Sequence, residues 1–219
     1  MQKTMRDIVA DVGVVPVIAI DSPAAAVPLA DALLAGGLPV AEITFRTAAA
    51  AEVLRTLKRD RPMLRLGAGT VLTVEQARLA KDCGATFALA PGFNRAVVAE
   101  AQRLDLPFAP GVMTPSEVEG ALELGLSVLK FFPAGDAGGP RMLNSLSGPY
   151  AHTGVRFIPT GGVTLDNLKD YLSVKTVLAV GGTWIARRED IAAGNWDTIR
   201  DNCRKAVERV KEIRAAGAR

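Results

Sequence analysis

The stretch 14-VVPVIAIDSPAAAVPLADALLAGG-37 holds one strand and one helix in succession, and the same rhythm repeats along the chain. VVPVIAI is a short apolar run rich in β-branched residues, which reads as a strand. Asp21 or Ser22 can cap the helix that follows, Pro23 suits its first turn, and the pair Gly36 and Gly37 stops it. LPVAEITF (38–45) gives way to AAAAEVLRTLKRD (48–60), and LRLGAGT (64–70) to a helix opened by Thr73 with Gln76 three positions on, close to a capping box. TFALAP (86–91) precedes NRAVVAEAQRLD (94–105), and LPFAPGV (106–112) precedes PSEVEGALELG (115–125). LSVLKFF (126–132) runs into a glycine-rich loop and a short helix near 141–146, VRFIPTGG (155–162) into TLDNLKDYLS (164–173), and KTVLAVGG (175–182) into a helical tail over about 190–216.

Eight strand candidates thus alternate with helices, and no serine- or proline-rich linker breaks the series. The expected architecture is one α/β domain over residues 1–219, a (β/α)8 TIM barrel with a short N-terminal helix. An open doubly wound sheet that grips a nucleotide would need a G-x-G-x-x-G turn after the first strand. AIDSPAAAV has no glycine there, and GAGT at 67–70 stops short.

Composition narrows the function. The 219 residues carry 26 basic and 23 acidic side chains, a net charge of only +3, and aromatic residues make up 5%. That balance argues against a nucleic-acid surface, which needs a basic face or an aromatic stacking ladder. No apolar run approaches the roughly 20 residues of a membrane span, and no cleavage site follows the N-terminal apolar stretch, so the expectation is a cytoplasmic protein without a membrane partner. Cys83 and Cys203 lie far apart, fit no metal-ligand spacing and are expected to stay reduced in helices. His152, the single histidine, follows Gly-Pro-Tyr in a loop and is expected at the surface.

Lys130 is the anomaly, a lone cation in the apolar run LSVLKFF. It either snorkels to water from a strand end or sits in a place built for its amine. Strand alternation puts Val40, Glu42, Thr44 and Arg46 on one side, with Leu64, Leu66, Ala68 and Thr70 as the matching set of the third strand and Leu126, Val128, Lys130 and Phe132 as that of the sixth. Glu42, Arg46, Thr70 and Lys130 can then converge at one barrel mouth. Taken singly, Glu42 and Arg46 could be a local ion pair and Thr70 a turn residue; three strands delivering complementary groups to one level favour a site. Burial disfavours the charged form of a lysine, and a neutral amine attacks a ketone to form an imine. The protonated imine is an electron sink for cleaving a carbon–carbon bond, with a carboxylate such as Glu42 moving the proton. The glycine pairs of 158-IPTGGVT-164 and 179-AVGGTW-184 end the last two strands, where barrels commonly hold phosphate. Their backbone N–H groups could line an anion nest, with Thr183 adding a hydroxyl.

The segments 37-GLPVAEITFR-46, 67-GAGTV-71, 125-GLSVLKFFPA-134 and 158-IPTGGV-163, within a similarity running from residue 14 to 185, resemble the 2-keto-3-deoxy-6-phosphogluconate aldolases, a class I family that includes 4-hydroxy-2-oxoglutarate aldolases. The resemblance implies a (β/α)8 fold, assembly as a homotrimer and no metal or organic cofactor. It implies that Lys130 forms the Schiff base and Glu42 acts as acid and base, with Arg46 and Thr70 on the keto-acid end. Gly161, Gly162, Gly182 and Thr183 would receive the phosphate. The implied substrate is the phosphorylated 2-keto-3-deoxy sugar acid, cleaved to pyruvate and glyceraldehyde 3-phosphate. Two departures, Gly135 in place of a glutamate and Ala90 in place of a serine, bear on substrate preference. The galactonate epimer, an unphosphorylated 4-hydroxy-2-oxo acid, and phosphosugar binding without turnover are the competing readings.

Overall fold

The computed structural model describes residues 4–217. A first short helix, α1 (Met5–Val9), starts where Thr4 and Asp7 satisfy each other's backbone N–H in a capping box, and it buries Met5, Ile8 and Val9. The chain then enters β1 (Val14–Ile18), which is buried along its whole length. A single 3-10 turn over Pro23–Ala25 leads into α2 (Ala26–Ala35). Ser22 makes no capping hydrogen bond, and Asp21 is engaged by Arg188 instead, so the helix begins later than the cap signals suggest. Gly37, at φ 79, completes the stop.

The alternation continues through β2 (Val40–Thr44), α3 (Ala50–Asp60), β3 (Arg65–Gly69), α4 (Val74–Asp82), β4 (Phe87–Leu89) and α5 (Arg95–Arg103). Thr73 caps α4 through the Gln76 N–H, while the Gln76 side chain accepts from Leu72 N at 2.7 Å, one residue before the cap. The fifth expected strand is split by Pro110, which has no N–H to donate, into β5 (Phe108–Ala109) and β6 (Gly111–Val112). Thr114 and Glu117 form a second capping box at α6 (Pro115–Glu123). Next come β7 (Val128–Phe131), α7 (Gly139–Ser147), β8 (Arg156–Pro159) and a short α8 (Leu168–Leu172). The last strand, β9, covers only Val180–Gly182 rather than 175–182, and α9 (Arg188–Ala192) and α10 (Trp196–Gly217) close the chain. No helix among the described residues is long and apolar enough to cross a membrane.

All strand pairs are parallel, in a six-stranded sheet of order β5-β4-β3-β2-β1-β9 and a three-stranded sheet β6-β7-β8. Two isolated parallel bridges, Phe157 with Val177 and Thr160 with Gly181, join β8 to the β9 segment. Register fixes which residues share a side, because paired positions of a parallel ladder point the same way. Glu42 pairs with Val17 and Gly67, Thr44 with Gly69, Gly111 with Lys130, and Lys130 with Ile158. The two sheets face each other across these positions, since the Lys130 and Glu42 side chains meet although their strands belong to different sheets.

One expectation fails here. Leu64, Leu66 and Ala68 do not share the side of Glu42; Gly67 and Gly69 do. A Cβ at Gly69 would stand 2.7 Å from Glu42 Cγ, and one at Gly67 would fall 2.9 Å from Phe87 Cδ2. The inner positions of β3 are therefore glycines because neighbouring strands fill that space, and its apolar residues pack outward, where they too are buried.

Candidate active site

Lys130 lies in the middle of β7 and Glu42 in the middle of β2, and their side chains are 5% and 1% exposed. The Lys130 amine donates to Glu42 Oε1 at 3.3 Å. The amine also lies over the Phe132 ring, 5.5 Å from its centroid. Water is thus largely excluded from both groups, and each has the other as its charged partner. Burying two charges costs several kcal/mol per ion after relaxation, which their mutual attraction repays only in part, so such a pair is poorly explained as a stabilising device. What it offers chemically is a nucleophilic amine with a proton acceptor at hydrogen-bond distance.

Above this pair, Thr44 is 1% exposed and donates to the Ile18 carbonyl at 2.9 Å. The same hydroxyl accepts from Arg46 Nε at 3.2 Å. Arg46 itself is exposed, and this tether directs its guanidinium while leaving the terminal nitrogens free of side-chain hydrogen bonds among the described residues. Those nitrogens form a fork suited to a carboxylate. Thr70 follows the end of β3 with φ 57, a left-handed conformation that is rare and strained for a β-branched residue. Strand alternation therefore does not set the direction of its side chain.

The two glycine pairs differ from each other. Gly161 and Gly162 adopt φ 91 and 75, consecutive left-handed residues in a turn open to the mouth. Asn167 braces that turn by donating to the Gly162 carbonyl at 2.9 Å. The loop after β7 packs directly on it, with Gly135 N donating to Gly161 O at 2.8 Å and a Cβ at Gly135 falling 3.2 Å from Gly162 Cα. A side chain at position 135 would crowd the Gly162 backbone, and glycine leaves this approach relaxed. Gly181 and Gly182, by contrast, belong to β9, are buried, and are absent from the left-handed positions. Gly182 makes room for the Trp184 ring, which a Cβ there would strike. The second pair is a strand end with close packing and not a second turn of the same kind.

Arg46, Gly162 and Thr183 line one cleft of about 520 Å³, together with Val17, Ala19, Trp184 and Arg187. Thr70 and Gly161 are not among the residues lining it, and Lys130 with Glu42 lies beneath the surface. Two residues at this mouth escape a reading of the sequence alone, Thr160 and Arg187, and Thr44, placed beside Glu42 by strand alternation, is given no role by it. Thr160 is 3% exposed and stands two residues beyond Ile158, the register partner of Lys130. A threonine at a strand end has no sequence signal that separates it from a turn residue. Ala90, the other noted departure, is buried at the end of β4.

A family model described as KDPG and KHG aldolase matches residues 5–202. The 2-dehydro-3-deoxy-phosphogluconate aldolase of Haemophilus influenzae is 46% identical over 198 residues, which are 90% of this chain and 92% of that protein. The crystal structure of the KDPG aldolase of Legionella pneumophila, holding pyruvate captured at low pH as a covalent carbinolamine intermediate, is 39% identical and superposes with a TM-score of 0.90 over 94% of this chain and 99% of that one. The 2-keto-3-deoxy-6-phosphogluconate aldolase of Zymomonas mobilis, in a structure with 3-phosphoglycerate, is 36% identical with a TM-score of 0.84 over 93% of this chain and 96% of that one. With the family pattern spanning nearly all of the described residues, the chain belongs to the KDPG and KHG aldolase family.

Proposed function

We propose that the protein is a class I aldolase that cleaves 2-keto-3-deoxy-6-phosphogluconate to pyruvate and glyceraldehyde 3-phosphate, with Lys130 as the Schiff-base residue. The observation that carries this reading is the buried Lys130 amine 3.3 Å from Glu42 Oε1. In the forward sequence the Lys130 amine adds to the C2 ketone to give a carbinolamine, which loses water to a protonated imine. Glu42, directly or through a water, takes the proton from the C4 hydroxyl. The C3–C4 bond breaks, its electrons pass into the imine as an enamine, and the aldehyde leaves. Protonation at C3 and hydrolysis then release pyruvate and free Lys130. Arg46 and Thr70 serve the keto-acid end, and the Gly161–Gly162 turn, Gly182 and Thr183 the phosphate. The scheme needs no metal or organic cofactor.

The same reading makes the fold a closed eight-stranded (β/α)8 barrel, in which β5 and β6 are one strand interrupted at Pro110 and the bridges from β8 to β9 form the seam. It also makes the enzyme a cytoplasmic homotrimer. Two free, buried cysteines suit a reducing compartment. Leu72, Met113 and Met142 are large apolar side chains exposed by 49%, 42% and 38%, all on the segments that follow β3, β6 and β7, which suits burial between subunits.

Borohydride reduction in the presence of pyruvate, followed by peptide mapping, tests the chemistry: a permanent adduct is expected at Lys130, and an adduct elsewhere or none at saturating pyruvate removes the imine reading. The substrate is tested by comparing kcat/KM for the phosphorylated acid with that for its dephosphorylated form. A clear preference for the first is expected, and equal values move an unphosphorylated 4-hydroxy-2-oxo acid to first place while leaving Lys130 in its role.

A further inference from the structure

We propose that Arg187 is a further specificity-determining residue of this site, a cation that captures the phosphate dianion of the substrate. The proposal rests on the phosphorylated-substrate reading above and adds to it a side chain that no glycine turn or hydroxyl replaces.

The cleft at the mouth is lined by three guanidinium-bearing residues, Arg46, Arg187 and Arg188, and they are not equivalent. Arg188 is bound in a fork to Asp21, with contacts of 2.5 and 2.6 Å, so its charge is already answered. Arg46 is tethered to Thr44 at the β2 side of the cleft. Arg187 makes no ion pair or side-chain hydrogen bond among the described residues, although it borders the same cleft as Gly162 and Thr183. The one carboxylate lining the cleft is Glu189, in the first turn of α9. With Asp21 occupying Arg188, the unanswered positive groups are Arg46, which follows β2, and Arg187, which follows β9 on the other side of β1.

A substrate with a carboxylate at one end and a phosphate at the other can meet one of these cations with each end. Backbone N–H donors and a threonine hydroxyl bind a phosphate by dipoles alone. A guanidinium adds a full charge and two parallel donors, and a charged partner makes each hydrogen bond stronger. An exposed cation at a concave mouth also raises the local concentration of a dianion before docking, an effect that salt screens. Arg187 therefore acts mainly on capture of the substrate and little on the carbon–carbon cleavage, which occurs at Lys130.

The test is the ratio of kcat/KM for 2-keto-3-deoxy-6-phosphogluconate to that for its dephosphorylated form, measured in the wild type, Arg187→Gln and Arg187→Lys across a range of ionic strength. Arg187→Gln is expected to lower the ratio by roughly tenfold, chiefly through KM, and to flatten its dependence on salt, as loss of one partly exposed charge-assisted contact predicts. Arg187→Lys should restore most of the ratio, and inorganic phosphate should become a weaker competitive inhibitor in Arg187→Gln but not in Arg187→Lys. A wild type that prefers the phosphorylated substrate while Arg187→Gln keeps the same ratio overturns the role of Arg187 and leaves the substrate reading standing. A parallel fall for both substrates overturns it as well, because it marks a structural effect. A wild type indifferent to the phosphate overturns both.

Discussion

At Lys130 and Glu42 two opposite charges occupy a place from which water is nearly absent, and each protects the other from an uncompensated burial. Removing one partner of such a pair costs about 3–5 kcal/mol, because the remaining charge is stranded, whereas removing both can be neutral or stabilising. Lys130→Met and Glu42→Gln should each lower the thermal midpoint, and the double variant should recover a large part of the loss; additive losses in a double-mutant cycle would contradict the pairing. Glu42→Gln keeps the size of the side chain and its capacity to hydrogen bond but removes a base, so turnover should fall by roughly 10²–10⁴. Borohydride trapping of pyruvate should suffer less than cleavage, and an unaltered turnover would assign the proton to a water held by another group. The sequence makes Lys130 visible because a cation inside LSVLKFF has to be explained. Strand alternation puts Thr44 on the right side but gives it no role: its importance lies in bonds to Ile18 and Arg46, which residue type alone does not announce.

The helices behind the strands obey simpler rules: Thr73, read as a cap from the sequence, accepts from a first-turn N–H, and Asn94 and Thr114, not read as caps, do the same. What the caps do not reveal is how adjacent helices are tied. Glu100 of α5 is 8% exposed and takes Arg103 of its own helix and Arg78 of α4, with contacts of 2.7 Å from each. Arg103 and then Arg78 hold its carboxyl down from the ordinary 4.5 to about 2. A depressed folded value means that the clamp contributes stability above the unfolded pKa and loses it as pH falls from about 4.5 towards about 2. Glu100→Gln should therefore be less stable than the wild type at pH 7, with the gap in thermal midpoint closing as the pH drops to about 2. A gap of constant size across that window would mean that packing, and not charge, joins the helices. Strand parity was the least legible feature. In β3 the apolar residues suggest an inner side at Leu64, Leu66 and Ala68, yet the inner residues are Gly67 and Gly69, because Phe87 and Glu42 project into their space from the strands on either side. Hydrophobic alternation reports burial, and in a sheet covered on both faces burial does not distinguish inside from outside.

For the molecule as a whole the decisive place is the seam between β8 and β9, where isolated bridges and no continuous ladder join the three-stranded sheet to the six-stranded one. Gly181 pairs with Val15 of β1 on one side and with Thr160 on the other, so it links the two sheets. A Cβ at Gly181 would stand 2.9 Å from Thr160 Cγ2 and 3.0 Å from its Cβ, with the hydroxyl closer still, and every one of these atoms is in the buried interior. The segments that follow these two strands carry Gly162 and Thr183. Gly181→Ala is therefore expected to cost about 1–3 kcal/mol by overpacking. For a chain of this length each kcal/mol lowers the thermal midpoint by roughly 2–4 °C. Because the segments proposed to hold the phosphate spring from the same seam, kcat/KM for the phosphorylated substrate should fall further than that for the dephosphorylated one. Thr160→Ala removes both the hydroxyl and the methyl that obstruct the new side chain, so adding it to Gly181→Ala should return part of the lost stability. It would not do so if the damage came only from restricting the glycine backbone. Full wild-type stability in Gly181→Ala alone would mean that the seam has slack, and that the two sheets are held together by the helices packed outside them and not by the contact of β8 with β9.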